Sequence, residues 1–335
     1  MFVFFPEQRS GATPAAYFHA MARLGVEGLV LIEPRDFSVN LGCFDDLAAI
    51  DLSYCRQQHW PVMRREAGGG TVLLGPGQVF YQLVLRKGRP LTLGSIASVL
   101  RSLSRAPIEA YRLLGVAAEY RPATDLVTHD QRKISGQGAA EIDGCLCFVG
   151  SVLMRFDPAT MARVLRTETP SHRAAVLQAM MRHMTWLDRE LPVPPGREVV
   201  LRALRDGFAS LFDVLEERTL PRAVVAEAVR IAEAFSTAEA LDLDTPRRRV
   251  GIKIREGVSV HRRMGSIAGR ECEAVITVCD EALEQISLSG LDRPDIEAAL
   301  AGQTHRPDVV SDTLGRMQLA PDLIAALTAL IGGQS

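Results

Sequence analysis

The sequence predicts an α+β fold in two domains. Three observations carry that expectation. β-Rich runs alternate with helical periodicities through the first two hundred residues. The segment Leu191-Pro192-Val193-Pro194-Pro195-Gly196 then punctuates the chain. A second β-rich block, Arg249 to Leu288, follows a further break and is closed by helical segments. A chain of 335 residues has two domains as its natural prior.

Gly28-Leu29-Val30-Leu31-Ile32, Asp36 to Leu41 and Pro61-Val62-Met63 read as strands. So do two runs around Gly75-Pro76-Gly77, namely Thr71 to Leu74 and Val79 to Leu85, joined by a turn as a hairpin. Leu93 to Ser104 has helical periodicity in Ile96, Val99, Leu100 and Leu103; Pro107 restarts or kinks it before Ile108 to Val116. Strands follow near Asp125 to Thr128 and Cys145 to Phe156. Pro158 then opens a helix behind Asp157 as N-cap. A helical region runs from Arg197 to Glu217, breaks at Pro221 and resumes to about Ala240, with Leu241 to Pro246 as a linker. In the second block Val250-Gly251-Ile252-Lys253-Ile254 and Ala274 to Val278 alternate as strands, with helices at Arg293 to Leu300 and Pro321 to Ile331.

Composition excludes several functions. Hydrophobic residues at 47% and charged residues at 23% describe a globular protein with ample core. A net charge of −2 gives no electrostatic footprint for nucleic acid or anionic membrane. No apolar stretch approaches the ~20 residues of a spanning helix, and Met1 to Glu7 lacks the features of a secretory leader, so a cytoplasmic protein is expected. The six cysteines form no C-x-x-C pair and the seven histidines no recognisable zinc spacing. Cys145 and Cys147 would share one face of a strand as buried structural thiols, with a catalytic cysteine as the competing reading.

The most informative segment is Arg64-Arg65-Glu66-Ala67-Gly68-Gly69-Gly70-Thr71-Val72, followed some sixty residues later by Lys133-Ile134-Ser135-Gly136. Three consecutive glycines let a ligand lie directly against backbone. The arginines bring guanidinium forks suited to phosphate or carboxylate, and the lysine a compact cation. Taken together these residues suit an acyl group joined to a phosphate. A P-loop is excluded because Pro76 stands where that motif needs lysine, and the glycines open a strand rather than the helix of a dinucleotide fingerprint. Were Arg64 and Arg65 both in a strand, only one could point inward.

These two motifs, in this order and separation, resemble the lipoate–protein ligase family, with Ser38-Val39-Asn40-Leu41-Gly42 and Gly150 to Met154 extending the likeness over roughly residues 25 to 215. The resemblance implies a mixed β-sheet catalytic domain of the biotin/lipoate ligase type (1–218), a helical linker (219–246) and a smaller α+β accessory domain (247–335). It implies ATP and Mg²⁺ as cofactors and lipoate as substrate, activated as lipoyl-AMP and passed to a lysine of an acceptor lipoyl-domain protein. On that reading Lys133 is catalytic, at the phosphate and carbonyl oxygens of the adenylate. Arg65, supported by Arg64, contacts the nucleotide. Gly68, Gly69, Gly70, Thr71, Val72 and Leu73, with Ser135, Gly136 and Gly150, line nucleotide and lipoate. Asp125 either helps hold Mg²⁺ or is solvated or a cap.

The chain also departs from that pattern. Leu74-Gly75 stands where many relatives have His-Asp, Phe148-Val149 stands where many have histidine before the Gly-Ser element, and the Gly-Asp-Phe-Phe signature of the accessory domain is absent. These losses leave acyl preference open and point to a specialised acceptor. Two alternatives stand beside the ligase: an octanoyl or lipoyl transferase drawing on a carrier protein, and a noncatalytic lipoyl-domain binder. One transferase branch places its cysteine where this chain has Glu119-Tyr120-Arg121, and the biotin-ligase loop is missing.

Overall fold

The computed structural model describes residues 1–243 and 251–332. The last part of the expected linker, the residues 244–246, and the start of the following strand at 249–250 lie outside them. The chain divides into two units, Met1–Arg166 with Met184–Arg248, and Thr167–His183 with Arg249–Ser335.

The first unit carries strands β1 (Phe2–Phe4), β2 (Gly28–Ile32), β3 (Ser38–Leu41), β4 (Val62–Arg64), β5 (Val72–Leu74), β6 (Gln78–Arg86), β7 (Ala118–Arg121), β8 (Asp125–Thr128), β9 (Lys133–Ile142), β10 (Cys145–Leu153) and β11 (Glu216–Glu217). Eight form one mixed sheet in the order β11-β1-β2-β6-β10-β9-β8-β7, and β4-β3-β5 form a small second sheet. β1 runs parallel to β11 and β2, whereas β2, β6, β10, β9, β8 and β7 are antiparallel in turn.

Side-chain alternation explains why helices cover both faces of the large sheet. Val79, Tyr81, Leu83 and Leu85 of β6, with Leu146, Phe148 and Val152 of β10, join one core. Helices Ile96–Leu103, Arg105–Leu113 and Arg197–Ala209 complete it with Leu103, Tyr111, Leu204 and Phe208. On the opposite face Phe80 and Val84 join Cys145, Cys147 and Val149, under helices Thr13–Arg23 and Arg222–Ala234. Gln82 faces that side as well and is satisfied there: its amide oxygen accepts from Phe18 N (3.0 Å) and its amide nitrogen donates to Pro14 O (2.9 Å).

Two expectations are corrected. The runs flanking Gly75-Pro76-Gly77 are strands joined by a turn but not a hairpin: β5 pairs with β3 in the small sheet, while β6 pairs with β2 and β10 in the large one. Gly75 permits the crossing, because a Cβ there would stand 2.0 Å from the Phe37 ring. The helix beginning at Arg197 ends at Ala209, not Glu217. Pairing with the first strand wins over continuation of the helix, as Glu216 N donates to Met1 O (2.9 Å) and β11 lies parallel to β1.

The second unit is an antiparallel sheet of β12 (Ile252–Arg255), β13 (Val258–Ile267), β14 (Arg270–Cys279) and β15 (Ala282–Ser289), in that order. Its core joins Ala274, Ile276, Leu283 and Ile286 to Ile296, Leu300, Leu314 and Ile331 from helices Pro294–Leu300, Pro307–Arg316 and Pro321–Gly332. Helix Pro170–His183 belongs to this unit and is tied to its sheet by Thr169, whose hydroxyl donates to Glu273 (2.7 Å).

Candidate active site

The glycine run is the loop between β4 and β5, and neighbouring backbone fixes its path. A Cβ on Gly42 would lie 2.1 Å from Gly69 O, and one on Gly138 of β9 would lie 3.2 Å from Gly68 O. Gly69 itself has φ +97, the left-handed region that favours glycine. Backbone thus packs on backbone from both sides of the loop.

Both arginines of the motif are buried, and the condition under which only one could point inward, both lying in a strand, is not met. β4 ends at Arg64, so Arg65 has left the strand and the alternation rule no longer applies. Arg65 donates to Asn40 O (2.9 Å), Gly68 O (2.9 Å) and Gly70 O (2.8 Å). Arg64 donates to Gly42 O (3.1 Å), Asp45 O (2.6 Å), Ala240 O (3.1 Å) and Leu241 O (2.5 Å). The guanidinium forks are engaged with main-chain carbonyls. Because trans peptides set C=O and N–H on opposite sides, carbonyls of Gly68 and Gly70 that turn onto Arg65 direct the N–H groups of Gly69 and Thr71 away from it. Asp45 completes the frame, accepting from Gly42 N (3.2 Å) and the Thr71 hydroxyl (3.1 Å). Val72 is partly exposed, while Leu73 is buried and its carbonyl accepts from Gln78 (2.9 Å).

Strand β9 links this loop to the second motif. Gln137 and Gly138 lie beside Gly69 and Gly68, and Lys133 opens the same strand. Four residues of strand span ~13 Å. The Lys133 ammonium is 2.8 Å from the Asp125 carboxylate, with Asp125 only 1% exposed. A solvated Asp125 is therefore ruled out. The lysine stem folds over Gly136, where a Cβ would be 3.2 Å from both Cε and Nζ. Ser135 is fully buried and donates to Ser151 O (2.7 Å), so its hydroxyl braces β9 against β10. Gly150 makes room for Tyr81, whose hydroxyl would stand 2.2 Å from a Cβ there.

The sequence reading missed that tyrosine and the chain behind it. Ser104 donates to Gln137 Oε1 (2.7 Å), and Gln137 Nε2 donates to the Tyr81 hydroxyl (3.0 Å). Burial raises the Tyr81 phenol well above its ordinary pKa, so it stays neutral and positions β9 beside the glycine run. Only the glycine at 150, demanded by a large neighbour, hinted at it.

The Asp125 carboxylate is buried against the Lys133 ammonium. Cys145 and Cys147 point from β10 onto helix Thr13–Arg23, with Ala22 O and Phe18 O each 3.9 Å from a sulfur. Burial pushes both thiols up.

The family model for the lipoyl protein ligase A/B catalytic domain matches residues 16–209. Among curated proteins the chain is similar to octanoyltransferase LipM of Clostridioides difficile, 22% identical over 195 residues, which cover 52% of this chain and 72% of that protein. Among solved structures it is similar to a bi-partite lipoate protein ligase from Thermoplasma acidophilum, with a TM-score of 0.63 and 21% identity over 74% of this chain and 98% of that one. It is likewise similar to lipoate-protein ligase A bound with ATP, with a TM-score of 0.57 and 22% identity over 72% of this chain and 100% of that one. These structural likenesses are likenesses of fold.

Proposed function

The chain belongs to the lipoyl protein ligase A/B catalytic domain family, and from that premise we propose that it is an ATP-dependent lipoate–protein ligase. One observation carries the proposal: the Lys133–Asp125 pair and the glycine loop are held at two points of β9.

In the first step a lipoate carboxylate oxygen attacks the α-phosphorus of ATP, the bond to the β-phosphate oxygen breaks, and pyrophosphate leaves. In the second, the neutral ε-amine of an acceptor lysine attacks the carbonyl carbon of lipoyl-AMP. The bond to the AMP oxygen breaks, AMP leaves, and the amine loses its proton. Both steps gather negative charge on oxygen, which preorganised donors stabilise. Lys133 supplies the mobile donor, exchanging the Asp125 carboxylate for substrate oxygens. The N–H groups of Gly69 and Thr71, turned away from Arg65, supply fixed ones. Arg64 and Arg65 act through the loop they hold and are positioning residues.

The similarity to octanoyltransferase LipM supports a second reading, acyl transfer from a carrier protein. Burial and a raised pKa weigh against Cys145 and Cys147 as the thioester cysteine in it, because the thiolate is the nucleophile. The test is purified protein with lipoate and ATP–Mg²⁺, without acceptor. Lipoyl-AMP and pyrophosphate are expected, and both should fall for Lys133→Ala. Absence of adenylate with wild type, together with ATP-independent transfer from octanoyl carrier protein, would establish the transferase instead.

A further inference from the structure

The second unit brings a histidine together with a cysteine and a glutamate about a hundred residues further along the chain. His183 ends helix Pro170–His183, Cys279 ends β14, and Glu284 lies on β15. One donor atom from each lies within 4.8 Å of the other two. His183 Nε2 is 2.8 Å from the Glu284 carboxylate, and His183 is buried while the other two are half-buried.

We propose that His183, Cys279 and Glu284 form a binding site for a thiophilic divalent cation, zinc foremost. Zinc takes thiolate, imidazole and carboxylate at ~2.0–2.3 Å and prefers tetrahedral geometry. Donors at such distances are ~3.3–3.8 Å apart, so shifts of at most about 1.5 Å, Cys279 moving in and His183 and Glu284 parting slightly, bring this trio into range. The sulfur selects against magnesium and calcium, which take oxygen. On binding, Cys279 releases its thiol proton to solvent, and His183 exchanges its contact with Glu284 for the metal. Thiolate and carboxylate together balance the two positive charges, and one coordination position remains for water. Outer partners are already in place. An Arg255 nitrogen is 3.8 Å from Cys279 Sγ, and an Arg182 nitrogen is 3.3 Å from the other Glu284 oxygen. Such contacts orient ligands, although two guanidinium charges also make the occupancy exchangeable.

The test takes the full chain stripped by chelator and titrates it with zinc or cobalt(II). One equivalent per chain is expected, with a thiolate-to-cobalt charge-transfer band and a rise in melting temperature on adding zinc. Cys279→Ser should abolish the band and weaken zinc binding more than about tenfold, since even outer-shell losses cost 10–100-fold. Melting of the metal-free variants shows whether they fold, and Glu284→Gln repeats the test if Cys279→Ser is unstable. No stoichiometric binding by wild type, or a band and affinity unchanged in both variants, would overturn the site.

Discussion

The two ends of the candidate site solve different problems with the same kind of residue. At the glycine loop, cations are scaffolding: Arg64 and Arg65 each hold three or more main-chain carbonyls, and the loop they shape is bare backbone. At the start of β9 the cation is itself the exposed feature, a 20% accessible Lys133 side chain set against one buried carboxylate. A guanidinium bonded to several fixed carbonyls cannot turn to a ligand without leaving acceptors unpaired, which costs ~1–3 kcal/mol each. An ammonium against a single carboxylate can exchange partners. A basic residue in a motif therefore supports the substrate site either by contact or by construction, and its hydrogen-bond partners tell which.

Several substitutions would break or sharpen that contrast. The largest effect is expected at Lys133: replacement by alanine should lower pyrophosphate release in adenylate formation by ~10²–10³, as for other lost oxyanion donors. A circular dichroism spectrum like that of wild type should accompany it, whereas a melted protein would make the lysine structural. Arg65→Ala should do the reverse, costing about 2–4 kcal/mol in urea unfolding as three acceptors lose their donor. Arg65→Lys should recover less than half, because an ammonium cannot span Asn40 O, Gly68 O and Gly70 O together. Rate lost at unchanged stability in Arg65→Ala would assign that arginine to substrate after all.

Gly42→Ala comes next. It forces a methyl group against Gly69 O, and overpacking of this kind costs ~1–3 kcal/mol. Differential scanning calorimetry should show a lowered melting temperature, and KM for ATP should rise as the loop shifts.

A smaller effect concerns acid. Buried His19 accepts the Glu66 N–H (3.1 Å), and burial first, then Arg23 and Arg65, holds its pKa well below the ordinary value. The unfolded chain takes up this proton below pH ~6.5 and the folded one does not. The stabilisation is thus complete above that pH and is lost as pH falls, by at most ~1.4 kcal/mol per pH unit for one proton. His172, His261 (lowered to about 4) and His305 act in the same direction in the second unit. The informative quantity is therefore wild type minus His19→Gln in urea unfolding between pH 7 and 5; identical slopes would remove His19 from the acid response. The smallest effect is expected from Cys145→Ala and Cys147→Ala, which should leave adenylate formation and acyl transfer within about twofold of wild type, since packing is their role. A hundredfold loss of transfer would revive a cysteine nucleophile.

Sequence alone reached the motifs because their chemistry is local. Three adjacent glycines, paired arginines and a Lys-Ile-Ser-Gly tetrapeptide are readable as residue types in order, and strands such as Gly28–Ile32 are uninterrupted β-branched or leucine runs. Helix Thr13–Arg23 escaped because Pro14 to Ala22 are all buried, so no polar face marks its period. β9 escaped because Gly136, Gly138, Ala139 and Ala140 carry little strand propensity; its pairing with β10 makes it a strand.

What the sequence determined by itself was the α+β class, which follows from periodicity, and the family, which follows from two short motifs in order. Only the tertiary structure decided that Arg64 and Arg65 spend their donors on carbonyls, that β5 and β6 part into different sheets, and that His183, Cys279 and Glu284 converge. Each of those outcomes involves at least one partner some twenty or more residues away. Buried polar groups must be paired, and only the folded chain shows which partner is within reach.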